Sequence, residues 1–280
     1  MLVTRRGEEL HLVTQVDHGR LCGVLAAAWG NDRFVAPTVR DALVIGATHH
    51  DDGWTELEPI YNKAEGRPCH FTEVDLPEEF DYHRRANQAV YERYELAGAL
   101  SAMHRAGLAN ARWGLSNGGP NPDPRAVKLT EDEERRWITA IRRSWDFVGR
   151  RSAFEAEVWY AYEVLQALDV LALALPLLDV TRPSGTADTC VLDVGLIEQP
   201  VGPRLIGNVP TRIGGDYVEL RVWVQQLRRV LLRPYPFGQR ELALEFPVRR
   251  IADPRYSAQE MDDAYRAAPV ETIGVTLAAA

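Results

Sequence analysis

The chain has 280 residues, 46% hydrophobic and 26% charged, which is the balance of a globular protein large enough to bury a core. Its formal net charge of −8 argues against a nucleic-acid backbone or an anionic membrane as the main partner, so we expect a small-molecule substrate. Cys22, Cys69 and Cys190 share no metal-ligand spacing, which indicates a reducing, cytoplasmic setting. The most apolar run, Val164–Leu178, is interrupted by polar residues, and we expect no membrane span.

The first fifty residues predict a hairpin and two helices. Leu2–Thr4 and His11–Thr14 flank a glycine-containing turn and predict two paired strands. Apolar residues at helical spacing predict a helix over His18–Trp29 and a second helix from Thr38 into His49-His50-Asp51-Asp52-Gly53. Glycine is a natural helix stop, so the polar residues should lie where a buried helix ends and a site can open.

The middle of the chain predicts a loop and three helices. Glu56–Asp81 is rich in Pro, Gly and acids, and loops of that length inside a domain are usually functional. An apolar stripe predicts one helix over Tyr82–Arg105. Thr130-Glu131-Asp132-Glu133 is typical of a capping box, which would start a helix that reaches about Arg150. Phe154–Leu175 is the longest apolar helix, with an aspartate in its middle.

After Pro183 the pattern shifts toward strands. Tyr217–Val224 and Leu242–Val248 alternate or are β-branched, and Thr272–Leu277 predicts a last strand after a short helix over Ser257–Ala267. We therefore predict a helical domain over residues 1–182, which contains the histidines and aspartates described next, and a β-rich appendage over residues 183–280 packed on it. The fold class is mostly α, with an N-terminal β-hairpin and a β-containing C-terminal tail, and α+β overall.

Histidines and aspartates occur in the order His … His-Asp … Asp, at His18, His50, Asp51 and Asp169. A single buried histidine is more often an ordinary core residue than a ligand. Asp169, however, sits in an otherwise apolar helix, where a carboxylate is costly without a cation, an arginine or an N–H network as partner. The conjunction favours a divalent metal ion. A ligand set without thiolate favours Mn, Fe, Co, Ni or Mg over structural zinc, with Fe or Mn expected, one or two per chain.

The ordered residues resemble the HD superfamily of metal-dependent phosphohydrolases over about residues 15–175. The resemblance implies an HD-type helical core in which His18, His50, Asp51 and Asp169 bind metal. In binuclear members two further histidines lie between the pair and the closing aspartate. His104 is the better candidate, and His83 or His70 a weaker one. His83 and His104 lie at opposite ends of one predicted helix, about 30 Å apart at 1.5 Å per residue.

Neighbouring residues have predicted roles in the chemistry. Asp52 is expected to accept a hydrogen bond from a ligand or to act as general acid or base, and His49 to support a ligand or face the substrate. Arg105 and Lys63 could clamp an anion, although solvated surface charge explains both more simply.

A second, closer resemblance is to a bacterial family of unknown function, and it implies no activity. It rests on Gln-x-Asp-His, His-Asp-Asp-Gly-Trp, Ser-x-x-His, Leu-x-x-Leu-Asp-x-Leu and Pro-x-Pro-Phe, which occur here at residues 15–18, 50–54, 101–104, 165–171 and 234–237.

Three functions remain open from the sequence. The first is an HD-type metal-dependent hydrolase that acts on a small phosphorylated or anionic substrate through a metal-bound hydroxide. The second is a mixed-valent di-iron oxygenase on the same scaffold. The third is a non-catalytic binding module. The first is the interpretation that the ligand pattern favours.

Overall fold

A seven-stranded sheet with helices packed against it organises the protein. The computed structural model describes residues 1–74, 79–112, 124–144, 151–190 and 203–280. In these residues the helices are α1 (Gln15–Ala28), α2 (Arg40–His49), α3 (Glu79–Arg93), α4 (Glu95–Ala109), α5 (Pro124–Ser144), α6 (Arg151–Leu177) and α7 (Ala258–Ala267). The strands are β1 (Leu2–Arg6), β2 (Glu9–Val13), β3 (Tyr61–Asn62), β4 (Arg67–Pro68), β5 (Arg204–Pro210), β6 (Tyr217–Gln226), β7 (Arg229–Arg233), β8 (Glu241–Ala252) and β9 (Val270–Ala279).

The sheet combines strands from both ends of the chain, in the order β1-β2-β8-β9-β7-β6-β5. The N-terminal hairpin joins it through β2, which pairs antiparallel with β8, and among the described strands only the β7–β9 pair is parallel. Along β8 buried and exposed residues alternate, as expected for a strand with one face on the core. β3 and β4 form a separate two-stranded ribbon.

Helices and sheet share one hydrophobic core. α6 contacts β5 and β1, and α1 contacts β8. Leu165 and Leu168 of α6 belong to the same buried cluster as Leu244 and Phe246 of β8. The Arg6 side chain, from β1, donates to the carbonyl oxygens of Pro176 and Leu178 at 3.1 and 2.8 Å, so the hairpin also satisfies the end of α6.

The predicted fold class, a mostly α protein with an HD-type helical core, is wrong. The fold is α+β, and its curled sheet is a full layer of the structure. The sequence pattern showed that several strands have one apolar face, but periodicity does not reveal which strands pair. β5 and β7 were missed, and the hairpin was expected to stand apart from the later strands. The division into two domains at residue 182 stays a prediction.

The helix predicted over Tyr82–Arg105 is in fact two helices. Tyr94 separates α3 from α4, with φ −147° and ψ 82°, values outside the helical region. The two helices contact each other, with Gly98 of α4 close to the backbone of Tyr91 in α3. The break removes the 30 Å separation expected between His83 and His104, because α3 no longer continues the axis of α4.

The predicted capping box at Thr130–Glu133 is also wrong. α5 begins earlier, at Pro124, which suits the first turn of a helix. Thr130 therefore lies inside the helix, and its Oγ1 donates to the carbonyl oxygens of Ala126 and Val127. Glu133 no longer has a helix start to cap, and its carboxylate takes other partners.

α6 is longer than the apolar run expected from the sequence. By length and composition its residues Ala153–Leu177 could cross a membrane, but 83% of its most apolar window is buried inside the fold. That burial is typical of the core helix of a soluble protein, and the fold is compatible with one. The cytoplasmic location stays a prediction.

Candidate metal centre

Five of the predicted ligands meet in the interior of the helical layer. His18 is the fourth residue of α1, His50 and Asp51 follow α2, His104 lies on α4 and Asp169 on α6. Each is at most 6% exposed, which is unusual for carboxylates without partners. Residues from four separate helical segments therefore converge on one buried point.

Asp169 is at the middle of this cluster. Its Oδ1 lies 2.8 Å from His18 Nε2 and 3.2 Å from His50 Nε2, and its Oδ2 lies 3.8 Å from His104 Nε2. Three imidazole nitrogens thus surround one carboxylate. Among the described residues these histidines, and not an arginine, offset the free-energy cost of burying the Asp169 carboxylate in an apolar helix.

Asp51 closes the cluster from the other side. Its Oδ2 lies 3.5 Å from His50 Nε2 and 3.8 Å from His18 Nε2. The nitrogens and oxygens form two groups that could hold an ion, each with its atoms within 4.8 Å of one another: His18, His50 and Asp51, and His50, His104 and Asp169. Two ligands that each lie about 2.1 Å from one ion are roughly 3.0–3.5 Å apart, close to the separations found.

The orientation of His50 calls for a proton or a metal ion between its ring and the two carboxylates. Its Nδ1 donates to the Ala47 carbonyl oxygen at 2.7 Å, so in a neutral ring the Nε2 lone pair faces Asp51 and Asp169. A lone pair opposite two buried carboxylates needs a proton or a metal ion in between. A hydrogen bond from the second ring nitrogen to a backbone carbonyl is also the usual arrangement of a metal-binding histidine.

The pKa shifts follow from the same contacts. Burial alone lowers the pKa of His50, but Asp51 and Asp169 more than offset it and raise the pKa to about 9. Burial raises the pKa of Asp169, yet the surrounding histidines hold it well below its usual range. Burial lowers the pKa of His104 to about 4, so this ring is neutral at pH 7 and has a lone pair to offer.

Close packing between helices places these side chains. A Cβ on Gly23 of α1 would lie 2.0 Å from Thr48 Oγ1 of α2, so the absence of a side chain lets the two helices approach. His18 lies five residues before Gly23, and His50 lies two residues after Thr48. On α6, one turn before Asp169, Gln166 Nε2 donates to the His104 carbonyl oxygen at 3.3 Å and ties α4 to α6.

The predicted histidines outside the cluster take other positions. His83 of α3 is buried but is not in either ligand group; its ring packs edge-on against Trp54, 5.5 Å between centroids. His70 is buried and caps a short 3-10 helix, Phe71–Glu73. Among the described residues the ligand set therefore contains three histidines, and His83 lies beside it.

Asp52 and His49, the predicted catalytic residues, pair with each other. His49 Nδ1 and Asp52 Oδ2 are 2.8 Å apart, and the two side chains are 44% and 34% exposed. Neither belongs to the ligand groups among the described residues. Their assignment to the chemistry stays a prediction.

A small pocket of about 70 Å³ ends on the candidate metal centre. Its wall contains the candidate ligand His50 and, from α3, α4 and α5, His83, Ser101, Arg105 and Glu133. Arg105 was considered as an anion clamp, and the structure places it on this wall; Lys63 is exposed and does not line the pocket. Glu133 was missed, because the sequence assigned it to a helix cap.

Comparison with known proteins gives one match. A family model described as a protein of unknown function (DUF3891) matches residues 1–253. No curated protein and no solved structure matches the chain.

Proposed function

The chain belongs to the DUF3891 family of proteins of unknown function, and from the site itself we propose that it is a metal-dependent hydrolase of small anionic substrates, such as phosphate esters. The observation that carries the proposal is the His50 ring. Its Nδ1 is committed to the Ala47 carbonyl oxygen, so its Nε2 faces the Asp51 and Asp169 carboxylates. The donors suit a divalent ion of the Mn or Fe type, since none is a thiolate.

The pocket favours a catalytic over a structural role for the ion. Structural sites are closed by four protein ligands, whereas catalytic sites keep a position that water or substrate can reach. Here the ligand His50 forms part of the pocket wall. A divalent ion at this place would lower the pKa of a water molecule and polarise an oxyanion, which is the chemistry of phosphoester hydrolysis.

His83 is assigned to orient the attacking water in this proposal. Burial, followed by the nearby positive charge of Arg105, holds the pKa of His83 well below its usual value, so the ring is neutral and its unprotonated nitrogen can accept a hydrogen bond from water. Of the three residues considered, His83 lines the pocket, whereas Asp52 and His49 do not. Arg105, on the same wall, supplies positive charge for an anionic group.

One ion fits the ligand set better than two. Asp169 and His50 each contact several other members of the cluster, so two ions would have to share these two residues. The sixth predicted ligand, His83, lies outside both groups. A pair of irons would need that further ligand. The hydrolase is therefore preferred over the di-iron oxygenase.

The test is phosphate release by protein stripped with chelator and reloaded with Mn²⁺ or Fe²⁺. We expect release from small phosphate monoesters only after reloading, and His50→Gln should lower kcat/KM by about 100-fold or more, the scale of a lost catalytic electrostatic contact. His70→Gln is the matched control, since His70 is equally buried but lies away from the cluster. Activity that survives both the chelator and His50→Gln would contradict the proposal.

A further inference from the structure

Glu133 is a fixed carboxylate on the wall of the pocket that ends at His50. Its Oε1 accepts from Asn87 Nδ2 of α3 at 2.9 Å and from Trp137 Nε1 of α5 at 3.3 Å. Two N–H donors from different helices orient the group, and hydrogen bonds to a carboxylate are among the stronger ones. Among the described residues none donates to its other oxygen, Oε2.

The charges around the pocket are limited and of both signs. At the rim, Arg84 Nη2 pairs with Asp81 Oδ1 at 3.2 Å, and both side chains are more than half exposed, so their charges largely cancel. Arg105 and Glu133 also lie on the wall. A ligand that complements them needs a negative group on the Arg105 side and a hydrogen-bond donor for Glu133.

The volume restricts the size of what enters. About 70 Å³ is roughly half of the about 150 Å³ of a cavity that holds a benzene ring. The part of a ligand held in the pocket is therefore a small polar group, and an aromatic base is too large for it.

Building on the proposed hydrolase, we infer that this pocket selects small oxyanions that also carry a hydroxyl or ammonium group. The oxyanion faces the metal centre and Arg105, and the donor binds Glu133. Glu133 is thus a specificity-determining residue, and Asn87 is a positioning residue that acts through it. Neither was recognised from the sequence.

The experiment measures binding of three probes to metal-loaded protein by calorimetry. The probes are ethylphosphonate, 2-hydroxyethylphosphonate and 2-aminoethylphosphonate, which share one oxyanion and lack an ester bond that the enzyme could cleave. We expect the two donor-bearing probes to bind about tenfold more tightly than ethylphosphonate, the scale of one hydrogen bond to a charged group.

The variants separate the roles on the wall. Glu133→Gln should remove the preference for the ammonium probe and leave ethylphosphonate binding unchanged, and Asn87→Ala should reduce the same preference. Arg105→Gln should weaken the binding of all three probes to the same extent. Glu134→Gln is the matched control, since Glu134 lies on the same helix, pairs with Arg112 and does not line the pocket; it should change nothing.

Every outcome of the binding experiment either supports or overturns the inference. Equal affinity for the three probes in the unmodified protein, or an unchanged preference in both Glu133→Gln and Asn87→Ala, overturns the inference and leaves the hydrolase standing. Failure of metal-loaded protein to bind any probe overturns it as well. If the protein takes up no metal at all, the proposed function fails and the inference with it.

Discussion

Asp169→Asn is expected to lower the affinity for a divalent ion by about 100-fold or more, beyond the 10–100-fold that loss of a group supporting a ligand costs. Asp169 is the residue around which the three histidines gather, and its Oδ1 contacts both His18 and His50. An amide of the same shape keeps the volume but removes the negative charge that the ion would neutralise. Equilibrium dialysis against Mn²⁺ measures the change.

Asp52→Asn is the matched control for this experiment. It is the same substitution on a carboxylate that lies outside the cluster, pairs with His49 and is one third exposed. We expect its Mn²⁺ affinity to stay within about twofold of the unmodified protein, since the pair is solvent-screened. Equal losses in the two variants, or no loss in Asp169→Asn, would mean that Asp169 does not bind the ion.

Gly53→Ala is expected to destabilise the metal-free protein by about 1–3 kcal/mol, the usual cost of forcing an extra group into a packed interior. A Cβ at this position would lie 2.7 Å from His83 Cα and 2.8 Å from its backbone nitrogen. The obstacle is helix backbone, which cannot rotate aside, so α3 must shift and displace His83 from the pocket. Urea denaturation in the presence of chelator measures the loss.

Gly274→Ala serves as its control. The nearest atom to a Cβ on Gly274 is 4.0 Å away, so the added methyl group meets no obstacle in strand β9. We expect its urea midpoint to be unchanged or slightly higher, because alanine restricts the unfolded chain. If the two variants unfold at the same urea concentration, close approach of α3 is not the reason for glycine at position 53.

Most of the candidate site could be predicted from the sequence, because its residues are polar or charged types that a buried helix usually excludes. Asp169 in an apolar helix and the adjacent His50-Asp51 pair are costly choices for a core, and such choices indicate function. The tertiary contacts then determined which candidates meet. Among the described residues His83 lies outside both ligand groups, and the separation expected from one unbroken helix is not the reason, because the helix breaks at Tyr94.

The fold was harder to predict than the site. Hydrophobic periodicity identified α1, α6 and β8 within a few residues, because each has a long buried face. It could not show that β2 would pair with β8, some 240 residues away, and so the sheet was mistaken for a hairpin and a tail. Gly53 was interpreted as a helix stop, whereas it lies inside a 3-10 helix, Asp52–Glu56, and permits close approach.

Glu133 shows why a local motif can hide a functional residue. Thr130 and Glu133 have the spacing of a capping box, and a helix start explained both. The helix begins at Pro124, and Glu133 instead accepts from Asn87, on another helix. Only the packing of α3 against α5 brings that partner near.

The most direct test of the metal centre is anomalous diffraction from crystals of the protein grown with Mn²⁺. We predict one strong peak within about 2.0–2.3 Å of imidazole nitrogens and carboxylate oxygens in the set His18, His50, Asp51, His104 and Asp169. No peak among these residues at full Mn²⁺ loading, with His50 and Asp169 in direct contact instead, would show that the cluster is a buried ion-pair network and that the enzyme proposal is wrong.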